Sequence, residues 1–192
     1  MKGRPIAIAL ISVVAAGLAW IIFVGLPRQY SAPAPGRSAP PRSAAGAAAP
    51  PGRKIKARLF YVSGDGTHLT SVERDVAYGD GALDQAREIV AAQIAPATDL
   101  LVSAVPDGTT LRALFITDRG DAYVDLSGDI ASGHPGGVTN ELLTVYSIVN
   151  ALTANLPAVS AVQLLVDGKE VETLAGHVDL RRPLEKNAAL VQ

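Results

Sequence analysis

The hydrophobic positions of this chain fall into two regimes. Residues 6–26 form an apolar run with no charge in it, whereas from residue 54 onward apolar residues recur at the shorter periods of strands and helices. Residues 55–62 predict a strand, closed by a Ser63-Gly64-Asp65-Gly66 turn, and residues 69–78 a more polar second strand that completes a hairpin. Gly79-Asp80-Gly81 then opens a helix on which Leu83, Ala86, Val90 and Ile94 share one face, with Asp84 in its first turn and Pro96 as its stop. A Val105-Pro106-Asp107-Gly108-Thr109 turn feeds a strand at 111–117. Asp118-Arg119-Gly120-Asp121 turns it into a returning strand at 122–126, with Ala122, Val124 and Leu126 on one side and Tyr123 and Asp125 on the other. A Gly-rich loop at 127–137 precedes the longest helix, about residues 139–156. Its stripe is Leu142, Val145, Val149 and Leu152, widened by Tyr146 and Ile148. A strand at 161–166, an Asp167-Gly168 turn and a short strand at 169–174 finish the core.

The order ββαββαβ, with hairpins between neighbours, predicts an α+β domain built on a single, mostly antiparallel sheet with two helices packed on it. One transmembrane helix and a disordered linker precede it. The expected organisation is an anchor at 1–26, a Pro/Ala-rich flexible linker at 27–53, the α+β domain at 54–185 and a C-terminal tail at 186–192.

The 21 apolar residues from Ile6 to Leu26, at 1.5 Å each in a helix, match the roughly 30 Å hydrocarbon core of a bilayer. Trp20 and Phe23 lie toward its outer end, where aromatic rings suit the interface. A cleavable signal peptide is the competing reading, but its apolar region runs to about 7–15 residues. Lys2 and Arg4 on one flank nearly balance Arg28, Arg37 and Arg42 on the other. The shortness of the head favours a cytoplasmic N-terminus, which places the domain outside the cytoplasm at the plasma (inner) membrane. The linker's seven prolines block helix and strand ladders; fully extended it spans roughly 80 Å.

Charge divides along the same line. Residues 1–53 carry +6 and residues 54–192 carry −7, summing to the formal −1 of the chain. An acidic domain repels phosphate backbones, so nucleic acid is not an expected partner. The absence of cysteine removes disulfides, thiol nucleophiles, thiolate metal sites and a lipidated cysteine anchor.

Five blocks in order resemble the GerMN domain, a family named for a protein of spore formation and germination. They are Val105-Pro106-Asp107-Gly108-Thr109-Thr110-Leu111; Asp121-Ala122-Tyr123-Val124-Asp125-Leu126-Ser127; Glu141 with Tyr146-Ser147-Ile148-Val149-Asn150-Ala151-Leu152-Thr153; Val162-Gln163-Leu164-Leu165-Val166-Asp167-Gly168; and Gly176-His177-Val178-Asp179-Leu180. The resemblance covers about 80 residues well and extends more loosely back to Arg58. It implies a non-catalytic domain for binding or assembly in extracytoplasmic, membrane-tethered proteins, similar to the ring-building domains of secretion-like assemblies. The chain has one copy rather than a tandem pair.

Candidate chemistry is sparse. His177 and Asp179, at i and i+2, would share one strand face, but two ligands do not make a metal site. Asp118, Asp121, Asp125 and Asp129 surround a hairpin without an EF-hand pattern, and turn chemistry explains Asp118 and Asp121. Asp125 and Ser127 are expected to fix the strand-to-loop corner; with His177 and Asp179 they make a candidate polar cluster. Ser132, Gly133, His134, Gly136 and Gly137 form a candidate interaction loop that lacks the lysine and spacing of a phosphate cradle. His68 has no companion in the first hairpin turn. No serine–histidine–acid order, cofactor or metal is indicated. The expected role is a membrane-held module that binds an envelope protein or self-assembles. The alternatives are an extracytoplasmic enzyme, with Asp125, His177 and Asp179 as its acids and bases in one cleft, or a small-ligand sensor.

Overall fold

The structure, a computed structural model, describes residues 52–98 and 100–192. The expected membrane segment lies outside the described residues, as does the linker apart from Gly52 and Arg53. Among the described residues no helix is long and apolar enough to cross a membrane.

Strands β1 (Lys54–Val62) and β2 (Leu69–Ala77) form an antiparallel hairpin in full register, from Lys54 opposite Ala77 to Val62 opposite Leu69. Helix α1 (Ala82–Ile94) follows, with Ala86, Ile89 and Val90 buried at the spacing of one helical face. It ends at Ala95, whose extended backbone leads into Pro96. Strands β3 (Leu111–Ile116) and β4 (Asp121–Leu126) form a second hairpin. A short helix α2 (Asp129–Ser132) and the long helix α3 (Val138–Asn155) then carry the chain to β5 (Ala161–Val166). Two-residue strands β6 (Lys169–Glu170) and β7 (Leu184–Glu185) both pair with β5, and a 3-10 helix, Ala188–Leu190, ends the chain.

The fold is α+β and its strand pairs are mostly antiparallel, as expected, but the single sheet with two helices is corrected in two respects. The described residues form two sheets, the β1–β2 hairpin and a five-stranded sheet ordered β3-β4-β5-β6 with β7 also on β5. Among the described residues there are three α-helices, because α2 forms inside the segment expected to be loop. The larger sheet is mixed: β4 and β5 run parallel, Asp121 opposite Ala161 through Leu126 opposite Val166. The helical crossover between them has the length that parallel neighbours require, whereas the short turns force only the adjacent hairpins to be antiparallel. The strand expected at 169–174 stops at Glu170.

The hairpin stays separate from the larger sheet because the outer edge of β1 is occupied by side chains. The Gln93 carboxamide, from α1, accepts from Phe60 N (2.9 Å) and donates to Phe60 O (2.7 Å). Asn155, at the end of α3, treats Arg58 in the same way, at 2.8 Å to both N and O. Val62 N completes the edge by donating to Val102 O (2.9 Å). Each amide supplies the donor and acceptor that a neighbouring strand would have presented.

The core lies between the helices and the sheets. Leu114, Val124, Leu126, Val162 and Leu164 of the mixed sheet are buried with Leu59 and Phe60 of the hairpin and Ile148, Val149 and Leu152 of α3. Helix α3 is wrapped more fully than an apolar stripe suggests. Leu142 and Tyr146 are half-buried, while Glu141, Thr144, Ser147 and Asn150 form a buried polar row at three-residue spacing. Every member has a partner. Thr144 Oγ1 donates to Ala104 O (2.6 Å), Ser147 Oγ to Thr144 O (2.8 Å), and Asn150 brackets Asn187 O and N (3.0 and 2.9 Å). Through Asn187, and through Gln192 N donating to Leu69 O (3.0 Å), the final residues are bound to α3 and the hairpin.

Candidate functional site

The end of β4 is a charged corner. Asp125, 7% exposed, accepts from Gly168 N (2.7 Å) and from Arg112 Nε (3.2 Å). The second arm of Arg112 reaches Asp167 Oδ1 at 2.9 Å, and the same oxygen accepts from Gly128 N (3.2 Å). Ser127 Oγ accepts from Thr110 N (3.0 Å) and donates to Asp129 Oδ2 (2.8 Å). A Cβ at Gly128 would stand 2.7 Å from Asp167 Oδ2, so a larger residue there would make the Asp167 carboxylate shift. Asp125 and Ser127 therefore hold the strand-to-helix corner.

His177 and Asp179 lie on a bend rather than a strand, because the 171–183 excursion leaves β5 between β6 and β7. With Glu172, Thr173 and Arg181 they line a shallow depression of about 170 Å³ that includes neither Asp125 nor Ser127. Asp179 is clamped by Arg181 through both oxygens, at 2.9 Å each, and by Arg181 N at 3.1 Å. The Arg181 guanidinium, and then its backbone N–H, hold the Asp179 carboxyl far below the ordinary carboxylate range. A carboxylate so stabilised is a poor proton acceptor. No hydrogen bond or ion pair joins the two halves of the expected polar cluster, and among the described residues no three His, Asp or Glu side chains gather to hold a metal.

The bend is anchored by Glu141, in the first turn of α3. Its fully buried carboxylate accepts from Leu174 N (2.8 Å), Ala175 N (3.0 Å) and His177 N (2.8 Å). Burial by itself pushes the Glu141 carboxyl up. The N–H groups of Ala175, Leu174, His177 and Val178 outweigh it and hold the carboxyl below its ordinary value. The signal in the sequence was an acid in the first turn of a helix, ahead of a Gly-His-Val-Asp block that offers free backbone amides.

The Gly-rich loop is fastened rather than loose. Gly136 and Gly137 take φ of 82° and 87°, left-handed values that favour glycine. His134 Nδ1 lies 3.0 Å from Gly136 N, and its Nε2 lies 3.2 Å from Thr144 Oγ1. Ser132 and Gly133 close α2, with Gly133 N donating to Asp129 O (2.9 Å). Beside the loop, Val62, Val102, Val105, Pro135 and Leu143 line an apolar cavity of about 260 Å³, with Asn140 and Thr144 at its polar side. A second hollow, about 480 Å³, shares Val102, Ser103, Val105 and Pro106 with it and continues to Pro96 and Leu101. Leu100, Val102 and Val138 are exposed, the first completely.

The family model described as "Germane: Sporulation and spore germination" matches residues 58–172, which is 115 of the 192 residues. The chain belongs to the Germane family. The match begins within β1 and runs through β2, α1, the second hairpin, α2, α3, β5 and β6. Two solved structures share the fold of this Germane chain. The first GerMN domain of the sporulation protein GerM from Bacillus subtilis is 18% identical, with a TM-score of 0.52 over 68% of this chain and 97% of that one. The tandem GerMN domains of the same protein give 16% identity and a TM-score of 0.54 over 69% of this chain. The match spans 46% of the tandem structure, less than half its length. No curated protein matches the chain significantly.

Proposed function

We propose that this Germane domain is a non-catalytic binding or assembly module, held outside the cytoplasm by the apolar segment 6–26 and the Pro/Ala-rich linker. Its work belongs to the cell envelope, in sporulation or germination as the family description suggests, or in another envelope complex. The observation that carries the reading is where the polar groups are spent. Asp125, Ser127, Glu141 and Asp179 are each consumed by backbone amides or arginine within the fold, whereas three large apolar side chains, Leu100, Val102 and Val138, are left exposed around the loop cavity, beside the exposed Asn140. Exposed apolar residues beside a concave apolar surface are the ordinary marks of a protein contact.

The test sets two variants of the full chain against each other in a cell that depends on the protein. Leu100, Val102 and Val138 replaced together by serine are expected to leave the fold intact and abolish rescue of a deletion strain. His177→Ala with Asp179→Ala is expected to preserve rescue. The reverse pattern would assign the activity to the depression at His177 and overturn the binding reading.

A further inference from the structure

We propose that His134 is a proton-operated latch that holds the Gly-rich loop closed on α3. The chain of donors fixes its state. Gly136 N–H can only donate, so Nδ1, 3.0 Å away, is the acceptor and carries no proton. Thr144 spends its single hydroxyl proton on Ala104 O at 2.6 Å. The contact of 3.2 Å between His134 Nε2 and Thr144 Oγ1 is therefore a donation from the ring. The imidazole is neutral, protonated on Nε2, and links three segments: its own loop, α3 and the stretch before β3.

Adding a proton to Nδ1 turns that nitrogen into a donor facing another donor. A side-chain amide in the place of Gly136 N could flip to present its oxygen; a backbone N–H has no such escape. Protonation therefore removes the Gly136 bond and releases the turn at Gly136 and Gly137, next to Pro135 and Asn140 on the cavity wall. No carboxylate on the elements packed around the ring is bonded to it. On α2, the Asp129 carboxylate is taken by Ser127. On α3, the Glu141 carboxylate is turned to the amides of the 174–177 bend. On the stretch before β3, Asp107 is exposed, and none of these three bonds the His134 ring. The remaining histidines sit elsewhere, His68 in the first hairpin turn beside Asp65 and His177 on the bend. The latch does not require the loop to bind a partner, so it stands or falls separately from the function proposed above.

The experiment is a pH titration of the full chain labelled with nitrogen-15. It reads the tautomer of each histidine and the hydrogen-exchange protection of individual amides, corrected for the intrinsic pH dependence of exchange. At neutral pH, His134 is expected as the Nε2–H tautomer with Gly136 protected. As its imidazole takes up a proton, protection at Gly136 is expected to fall about tenfold or more. Protection at Gly176, whose amide is bonded to Thr173 Oγ1, stays constant over the same range. In His134→Gln the response at Gly136 disappears. An Nδ1–H tautomer at neutral pH, unchanged protection of Gly136 on protonation of His134, or a response that survives in His134→Gln would each overturn the latch.

Discussion

The carboxamide of Gln93 holds both backbone groups of Phe60, accepting at 2.9 Å and donating at 2.7 Å, in a pair that is almost wholly shut off from water. A side chain from a helix thus stands where the next strand of a sheet would be. The arrangement recurs in the domain: Asn155 at Arg58, Asn150 at Asn187, and Gln85, which accepts from Gly79 N and donates to Ala77 O, both at 3.0 Å. Together they tie the hairpin, the helices and the C-terminal residues to one another.

Replacing Gln93 by leucine leaves the N–H and C=O of Phe60 buried without partners. The expected loss of stability is about 2–6 kcal/mol, the sum of two buried unsatisfied groups. Gln93→Glu, when ionised, can still accept from Phe60 N but supplies no donor for Phe60 O, so it too destabilises the fold. Urea unfolding of the full chain measures both, and a Gln93→Leu loss under about 1 kcal/mol would show that the bracket is dispensable.

Asn150→Ala is expected to act locally. It frees Asn187 and with it the 3-10 helix, so amides from 187 to 192 should exchange far faster while those of β4 and β5 change little. Hydrogen exchange followed by mass spectrometry separates this from a global loss of protection, which would mean that these final residues are integral to the core.

Glu141→Gln keeps the shape of the side chain and removes the charge that four amides hold. A loss of about 1.5–3 kcal/mol is expected at neutral pH, the range for hydrogen bonds to a charged group. The folded-state carboxyl lies below its ordinary value of 4.5, so its contribution is fully present above that value and fades as pH falls through the folded value. The gap between wild type and Glu141→Gln should narrow on acidification. A gap that is constant with pH would assign the loss to packing.

In the first hairpin turn, the Ser63 hydroxyl, then the Thr67 hydroxyl and Thr67 N, bring the Asp65 carboxyl down to about 2. Carbon-13 NMR of the Asp65 side chain should give a midpoint near that value, and Ser63→Ala should move it upward. The ordering supplied by Asp65 is present above the ordinary carboxylate value of 3.8 and lost as pH falls toward 2. A wild-type midpoint at the ordinary value would remove Asp65 from the turn's support.

The elements themselves were legible because their signals are local. The periods at Leu83, Ala86 and Val90 and at Ala122, Val124 and Leu126 name one helix and one strand without reference to anything distant. The division into two sheets was not legible, since it depends on Gln93 meeting Phe60 across 33 residues and Asn155 meeting Arg58 across 97. No periodicity marks a glutamine as a substitute for a strand. Helix α2 was hidden for a related reason: Ser127, Gly128 and Asp129 carry turn signals, and one short turn of helix satisfies them as well as a loop does. The i, i+2 spacing of His177 and Asp179 suggested a shared face only because a strand was assumed. The amides that Glu141 collects bend that segment instead. Asp125 and Ser127, marked in the sequence by the family block, stand at the end of β4, where Gly168 N and Thr110 N bond to them.

The measurement that bears most directly on the binding reading is in-cell photo-crosslinking of the full chain, with the reactive residue placed in turn at Val102, at Val138 and, as a control, at exposed Lys54 on the hairpin. A discrete adduct from Val102 and Val138, absent from Lys54 and lost when Leu100 becomes serine, is the expected result. Equal labelling from all three positions, or no adduct from the two valines while the protein rescues its deletion strain, would contradict it.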